Sequence, residues 1–360
     1  MTSKTIFNFI RRYKRLILLI LLSVSVVLFV AYRRFAIAYF PNFSVPDGEK
    51  VYVYVYPETT IDSLTVQFEK LQVVKSSTGF MRYMKAKKYD ARLKTGKYAI
   101  TDGMSNRNLG QHLIFGMQEA VQLKFNNIRL KEQLAARLSQ QLMVDSAQLI
   151  TLMNDADFLK QYDMTPETAM VLFIPNTYQV YWNVTAEQLF DRMHLEYKRF
   201  WTEERLAKAA SAKLTPVEVS ILASIIDEET NVVKDKPIIA GLYLNRIRKG
   251  VPLQACPTVK YALNDFTLTR VLTEHTKIVS PYNTYKNRGL PPGPIRMASI
   301  VGIDAVLNYT KSNYLYMCAK ETLNGEHNFA TTLSEHNKNT QRYYRAYRQW
   351  ERENQLKNKK

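Results

Sequence analysis

The chain has 360 residues, 46% of them hydrophobic and 23% charged, a globular composition that excludes a disordered or fibrous protein. With 12 Gly, 13 Pro and 2 Cys it is neither a collagen-like repeat nor a disulfide-stapled miniprotein nor a multi-cysteine zinc scaffold. The net charge of +18 sits mostly at the ends: residues 1–34 hold seven basic side chains and no acid, residues 338–360 hold eight basic against two acidic, and the body keeps only +5. A nearly balanced body without RNP-type aromatics, zinc-finger spacing or a basic zipper argues against nucleic acid as a partner.

Residues 16–32 read LILLILLSVSVVLFVAY, long enough as a helix to cross a bilayer core of about 30 Å. Lys4, Arg11, Arg12, Lys14 and Arg15 precede it, against Arg33 and Arg34 after it, so the positive-inside bias predicts a cytoplasmic N-terminus and an exported body. A cleaved signal peptide is the alternative; paired arginines directly after the run are unlike a cleavage region. In an oxidising compartment Cys256 and Cys318 can form a disulfide or remain two small buried thiols. The five histidines show no HExxH spacing, and GxSxG and P-loop motifs are absent, which disfavours metal, serine-hydrolase and nucleotide chemistry.

Beyond a Pro-containing connection, VYVYVYP at 51–57 alternates Val and Tyr as a half-buried strand does. Helical spacing over 60–72 and 77–88 and a return strand at 96–100 complete a strand-helix-helix-strand unit. A helix capped by Ser105 stops near Gly116, the strand VQLKF follows at 121–125, and helices fall around 130–142 and 145–154. LFIPNTYQVYW at 172–182 is strand-rich and broken at Pro175, with helices near 185–200 and 203–211.

Thr215, Pro216 and Glu218 combine an N-cap, a proline at the first helical position and the glutamate of a capping box. The predicted helix runs through VEVSILASIIDEETNVV. At 100° per residue, with Leu222 at 0°, Val219, Ile221, Ile225, Ile226, Val232 and Val233 fall within about 100° and Glu229 at about −20°. Asp227 falls at about 140° among Ser220, Ser224 and Asn231, and Glu228 near 240°; both read as solvated acids. A carboxyl group on the apolar stripe is partly desolvated, which favours its protonated form and suits a general acid. A buried Glu229 paired with Arg246 or another base fits the same pattern.

A further helix is expected at about 236–248. LQACPTVKYAL at 253–263 and SPYNTYKNRGLPPGPI at 280–295 read as polar loops, either binding loops on a rigid scaffold or ordinary connectors. YLYMCAK at 314–320 reads as a strand and 334–356 as a charged terminal helix.

Taken together with LNR at 244–246 and HNFATTLSEHN at 327–337, the segments LFIPNTY, LASIIDEET, LQACPTVKYAL and SPYNTYKNRGLPPGPI, in this order, resemble the YceG-like family of membrane-anchored endolytic murein transglycosylases. The resemblance implies an α+β fold with an N-terminal transmembrane helix, a small LysM-like βααβ module and a mixed α+β catalytic domain. It divides the chain into a cytoplasmic basic segment 1–15, a signal-anchor 16–32, a linker 33–49, a LysM-like module 50–125, a YceG-like domain 126–345 and a basic tail 346–360. It further implies a single-pass inner (plasma) membrane protein with an extracytoplasmic catalytic domain. Its ASIVxxE pattern aligns with Ala223–Ser224–Ile225–Ile226 and places the catalytic glutamate at Glu229. Asp227 stands where Glu is frequent, and Cys256 where Asp is common in LQxDPTV.

The implied reaction is non-hydrolytic cleavage of the β-1,4 bond between N-acetylmuramic acid and N-acetylglucosamine, giving a 1,6-anhydro end and terminating nascent strands, with no metal or other cofactor. The expected partners are glycan strands, the bilayer through 16–32 and peptidoglycan synthases. Gln254, Thr258, Asn283, Tyr285 and Arg246 are candidates to orient substrate, each with a structural alternative. Two rival readings are a non-catalytic wall-binding scaffold and a water-using muramidase in which Asp227 or Glu228 partners Glu229.

Overall fold

A computed structural model describes residues 3–46 and 48–357; Met1 and Thr2 of the basic N-terminal segment, Asp47 of the expected linker and Asn358–Lys360 of the basic tail lie outside the described residues. Among the described residues one helix is long and apolar enough to cross a membrane, Arg12–Tyr39, and it belongs to the continuous helix α1 (Ser3–Tyr39). The chain forms two compact units, Met1–Val121 with Gln179–Asn183, and Gln122–Tyr178 with Val184–Lys360.

In the first unit β1 (Val51–Val55), α2 (Ile61–Lys70), α3 (Ser77–Ala86) and β2 (Gly96–Ile100) follow one another, then α4 (Asn106–Phe115). β1 and β2 pair antiparallel with Val51 opposite Ile100 and Val55 opposite Gly96. Val53 and Val55 are buried while Tyr54 and Tyr56 point outward, the alternation read from the sequence, and both tyrosines pack edge-on against Trp182 at 4.9 and 4.8 Å. Thr60 caps α2, Ser76 caps α3 and Ser105 caps α4, whose end at Gly116 turns left-handed (φ 70°). The core is an edge-to-face cluster of Phe43, Phe68 and Phe80. Residues read as the 33–49 linker continue α1 to Tyr39 and then enter this core, where Phe43 is fully buried.

The chain crosses between units within β3 (Ala120–Phe125) and returns within β4 (Asn176–Tyr181). The second unit carries α5 (Lys131–Ser139), α6 (Ser146–Asn154), α7 (Ala156–Lys160), α8 (Ala186–Phe200) and α9 (Glu203–Ala212). There follow α10 (Pro216–Glu229), α11 (Lys236–Arg248), α12 (Cys256–Ala262), α13 (Ile300–Leu307), the hairpin strands β5 (Tyr316–Ala319) and β6 (His327–Ala330), and α14 (Leu333–Lys357). β5 and β6 pair antiparallel, Tyr316 opposite Ala330 and Ala319 opposite His327.

α10 is the central helix. Its capping box forms as expected, with Glu218 N donating to Thr215 Oγ1 (3.2 Å) and Thr215 N to Glu218 Oε2 (2.7 Å). It stops at Glu229 because Thr230 is extended (φ −151°, ψ 142°), four residues before the expected end, so Val232 and Val233 lie beyond it. Ser220 and Ser224, assigned to a polar face, are buried: Ser220 Oγ donates to Pro216 O, Ser224 Oγ donates to Ile221 O, and Ser224 Oγ accepts from Ile295 N. α13, which the sequence reading did not anticipate, packs against α10 and covers this side. The segment read as a polar loop at 253–263 contains α12, opened by Pro257 in its first turn.

Candidate active site

Three consecutive acids end α10, and the 100° step between them sends each to a different neighbourhood. Asp227 and Glu228 are not the solvated acids expected. Asp227 is buried and ion-paired to Lys236 at the start of α11; Ser299 N donates to its Oδ2 (2.7 Å) and Ser299 Oγ to its Oδ1 (2.9 Å). Glu228 takes a two-pronged ion pair from Arg129, with Nε to Oε1 and Nη2 to Oε2 both at 2.9 Å, and Arg296 Nη1 adds a third bond at 2.8 Å. Helix spacing tells where a side chain points and not what covers it, and here Ser299 and α13 meet Asp227 while Arg129 and Arg296 meet Glu228. Gly302 of α13 passes so close that a Cβ there would lie 2.6 Å from Asp227 Oδ1. Gly302→Ala is therefore expected to lower stability by about 1–3 kcal/mol, read as a reduced midpoint in chemical denaturation.

Glu229, half-buried, faces a cleft of about 400 Å³. Tyr243 Oη donates to its Oε1 at 2.6 Å. Burial pushes the Glu229 carboxyl up to about 7, opposed by the Tyr243 hydrogen bond and the positive charge of Lys260, while Glu228 adds to the rise. The partner is thus the phenol of Tyr243 and not Arg246. Arg246, itself buried, donates from Nε to Pro252 O (2.9 Å), from Nη1 to Leu315 O (2.6 Å) and from Nη2 to Gln254 Oε1 (2.6 Å).

Gln254 and Tyr285 line the same cleft as Glu229 and Arg246. Gln254 sits in the left-handed region (φ 55°), a costly conformation for a residue other than glycine, pinned by its N–H to Thr284 O (3.0 Å) and by Arg246. Thr258 and Asn283 are fully enclosed and do not line the cleft. In place of direct contact with a ligand, they hold its wall. Thr258 Oγ1 donates to Ala255 O (2.7 Å) and meets Thr284 Oγ1 (2.8 Å); Asn283 Nδ2 donates to Thr276 O and Ile278 O, and its Oδ1 accepts from Tyr285 N. That web sets the loop that presents Tyr285, whose hydroxyl lies 3.2 Å from Cys256 Sγ.

Cys256 and Cys318 both line the cleft and both carry free thiols; burial raises the Cys256 thiol above its ordinary range. Tyr243, Tyr316, His327 and His336 also line the cleft and were not singled out from sequence. For Tyr243 the signal was its place one turn before Arg246 on the same helix. His327 is fixed by Asp235, which accepts from its backbone N–H (2.8 Å) and lies 3.1 Å from its Nδ1.

The family model of the YceG-like family matches residues 53–342. The chain belongs to the YceG-like family. A protein of Bacillus subtilis (strain 168) named endolytic murein transglycosylase is 30% identical over 318 residues, spanning 84% of each chain. One of the same name from Streptococcus pneumoniae serotype 2 (strain D39 / NCTC 7466) is 29% identical over 325 residues, covering 81% of this chain and 58% of that longer protein. The crystal structure of a YceG-like protein from Listeria monocytogenes superposes with a TM-score of 0.51 at 29% identity, over 81% of this chain and 99% of that one. The α+β fold expected from the sequence motifs is therefore that of a solved YceG-like structure, and the cleft at the end of α10 lies inside the matched region of this YceG-like chain.

Proposed function

We propose that this YceG-like chain is an endolytic lytic transglycosylase that cleaves the bond between N-acetylmuramic acid and N-acetylglucosamine within murein strands. The single observation that carries the proposal is the state of Glu229: a half-buried carboxyl on the cleft, raised to about 7, while Asp227 and Glu228 are held in ion pairs. The relatives named endolytic murein transglycosylases support the same reaction class.

In this reading protonated Glu229 gives its proton to the glycosidic oxygen as the C1–O bond breaks. The resulting carboxylate takes the proton of the muramyl 6-hydroxyl as O6 bonds to C1. The products are a free glucosaminyl 4-hydroxyl and a 1,6-anhydro end, and Glu229 is left protonated for the next cycle. One carboxyl serves because the substrate's own hydroxyl, already held beside C1, replaces the water or enzyme nucleophile of two-carboxylate glycosidases. Tyr243 fixes Oε1 and so orients the carboxyl towards the reacting bond. Gln254, with Oε1 occupied by Arg246, has its amide N–H groups to offer sugar, and Tyr285 its hydroxyl; Arg246, Thr258 and Asn283 hold these two in place. We take 50–125 as a murein-contacting LysM-like module, 126–345 as the catalytic domain, and α1 as a single-pass anchor with a cytoplasmic N-terminus. In this reading the anchored enzyme terminates nascent strands beside a peptidoglycan synthase.

The test is digestion of purified murein by the full chain in detergent, with products identified by mass spectrometry. Anhydromuramyl ends support the proposal. Reducing ends make the protein a muramidase, and glycan binding without cleavage makes it a scaffold.

Because the general acid must begin protonated, kcat/KM is expected to be level below about pH 7 and to fall tenfold per pH unit above it. Tyr243→Phe removes a donor that favours the charged carboxylate, so the Glu229 pKa rises and the falling limb moves to higher pH, with kcat reduced severalfold. An unmoved limb in a folded Tyr243→Phe protein would remove Tyr243 from the mechanism.

A further inference from the structure

The first unit holds a second, larger cleft of about 610 Å³, between the end of α1 and the C-terminal half of α3. Its buried floor is Tyr83, with the exposed rings of Phe35 and Tyr39 beside it, and the exposed cations Arg34, Arg82 and Lys87 line its rim. Among the described residues none of these three cations forms an ion pair, whereas the neighbouring Lys85 is matched by Asp62 at 3.1 Å. The surroundings offer little neutralisation: residues 75–107 contain nine Lys and Arg against two Asp.

The position of the cleft is fixed relative to the apolar span. α1 runs unbroken from the span to Tyr39, and its last turn is bonded into the unit. Asn106 Nδ2 donates to Ile37 O (2.7 Å), Asn42 Nδ2 donates to Asn106 Oδ1 (2.7 Å), and the Arg107 guanidinium lies 4.8 Å over the Tyr39 ring. At about 1.5 Å per residue, Arg34 lies about 3 Å and Tyr39 about 10 Å beyond the end of the apolar run, inside and just outside a headgroup layer of about 5–8 Å on each side of the hydrocarbon core. Cations on the rim, aromatic rings on and beside the floor and headgroup depth together match one ligand chemistry.

We propose that this cleft binds the phosphate headgroup of an anionic membrane phospholipid, with the start of its acyl chains on the aromatic floor. The proposal rests on the reading of α1 as a membrane anchor. Lipid bound here fixes the tilt of the first unit on the membrane, and each rim cation contributes about fivefold to affinity.

The test uses the full chain in detergent micelles, titrated separately with dihexanoyl-phosphatidylglycerol, dihexanoyl-phosphatidylcholine and inorganic phosphate, with hydrogen exchange followed at the amides of residues 79–88. Saturable protection by phosphatidylglycerol alone is expected, with an Arg82→Gln/Lys87→Gln protein weakened about 25-fold and its melting curve unchanged. Equal protection by phosphatidylcholine would reduce the cleft to an apolar contact. Equal protection by inorganic phosphate would make it a free-anion site, and an unweakened double variant would remove the cations; each result overturns the proposal. Should the double variant not fold, Arg34→Gln carries the same comparison. Flotation of the wild-type chain with vesicles keeps the two readings apart: failure to float removes the anchor, whereas flotation without protection removes only the lipid site.

Discussion

A Glu229→Gln protein is expected to lose murein cleavage by about a hundred- to ten-thousand-fold, the contribution typical of a positioned general acid-base group, while keeping its fold and its grip on glycan. The substitution is nearly isosteric, and the amide oxygen of Gln still accepts from Tyr243 as Glu229 Oε1 does at 2.6 Å. What disappears is the proton. An amide neither protonates a leaving oxygen nor takes a proton from the muramyl 6-hydroxyl, so both halves of the reaction fail together. The residual rate should also lack the fall above about pH 7 that the raised Glu229 carboxyl imposes on the unmodified protein. The measurement is the rate of anhydromuramyl product release from purified murein, with a melting curve and a glycan pull-down on the same sample. Undiminished cleavage by the folded variant would move catalysis away from Glu229 and remove the proposed mechanism.

Much of this was legible in the sequence because the signals were local. The capping box of Thr215 and Glu218, the alternation at 51–55 and the apolar run at 16–32 each depend only on near neighbours, and each has its counterpart in the structure. Glu229 was placed on the apolar stripe of its helix, and the structure puts it at the half-buried edge of a cleft. The fates of Asp227 and Glu228 were hidden for a non-local reason. A helical wheel presumes one covered face, and α10 is covered on several: α13 meets its serine side and Arg129 reaches Glu228 from 99 residues away in sequence. α13 itself is only eight residues with a glycine near its start, too short for periodicity to declare. Thr258 and Asn283 looked like ligand contacts because polar residues in loops often are. Their hydrogen bonds instead go to backbone carbonyls, that of Thr258 to Ala255 at the start of its own helix and those of Asn283 to Thr276 and Ile278 across the folded loop. The place of Tyr243 one turn before Arg246 marks a helix face, but its bond to Glu229 joins two helices and depends on how they pack.

Asp227→Ala is expected to cost about 3–5 kcal/mol of stability, because it leaves the Lys236 ammonium buried without its counter-charge. The side chains of the pair are almost fully enclosed, with 4% of Asp227 and 9% of Lys236 exposed. The same carboxylate accepts from Ser299 N and Oγ, and Ser299 is the N-cap of α13, its hydroxyl accepting from Gly302 N at 2.9 Å. The substitution therefore loosens the start of α13 along with the ion pair, and a fall in Tm of about 10 °C is expected for a domain of this size. Asp227→Ala combined with Lys236→Met is expected to recover a large part of that loss, since replacing both members of a buried pair removes the uncompensated charge. The two substitutions also bear on mechanism. In a water-using muramidase with Asp227 as partner of Glu229, Asp227→Ala would abolish cleavage and the double variant would not restore it. As a structural ion pair, Asp227 predicts the reverse: cleavage per folded molecule, assayed well below the melting transition, stays near that of the unmodified chain in both variants. Only stability moves, because the carboxylate that Lys236 and Ser299 hold is turned away from the cleft that Glu229 faces.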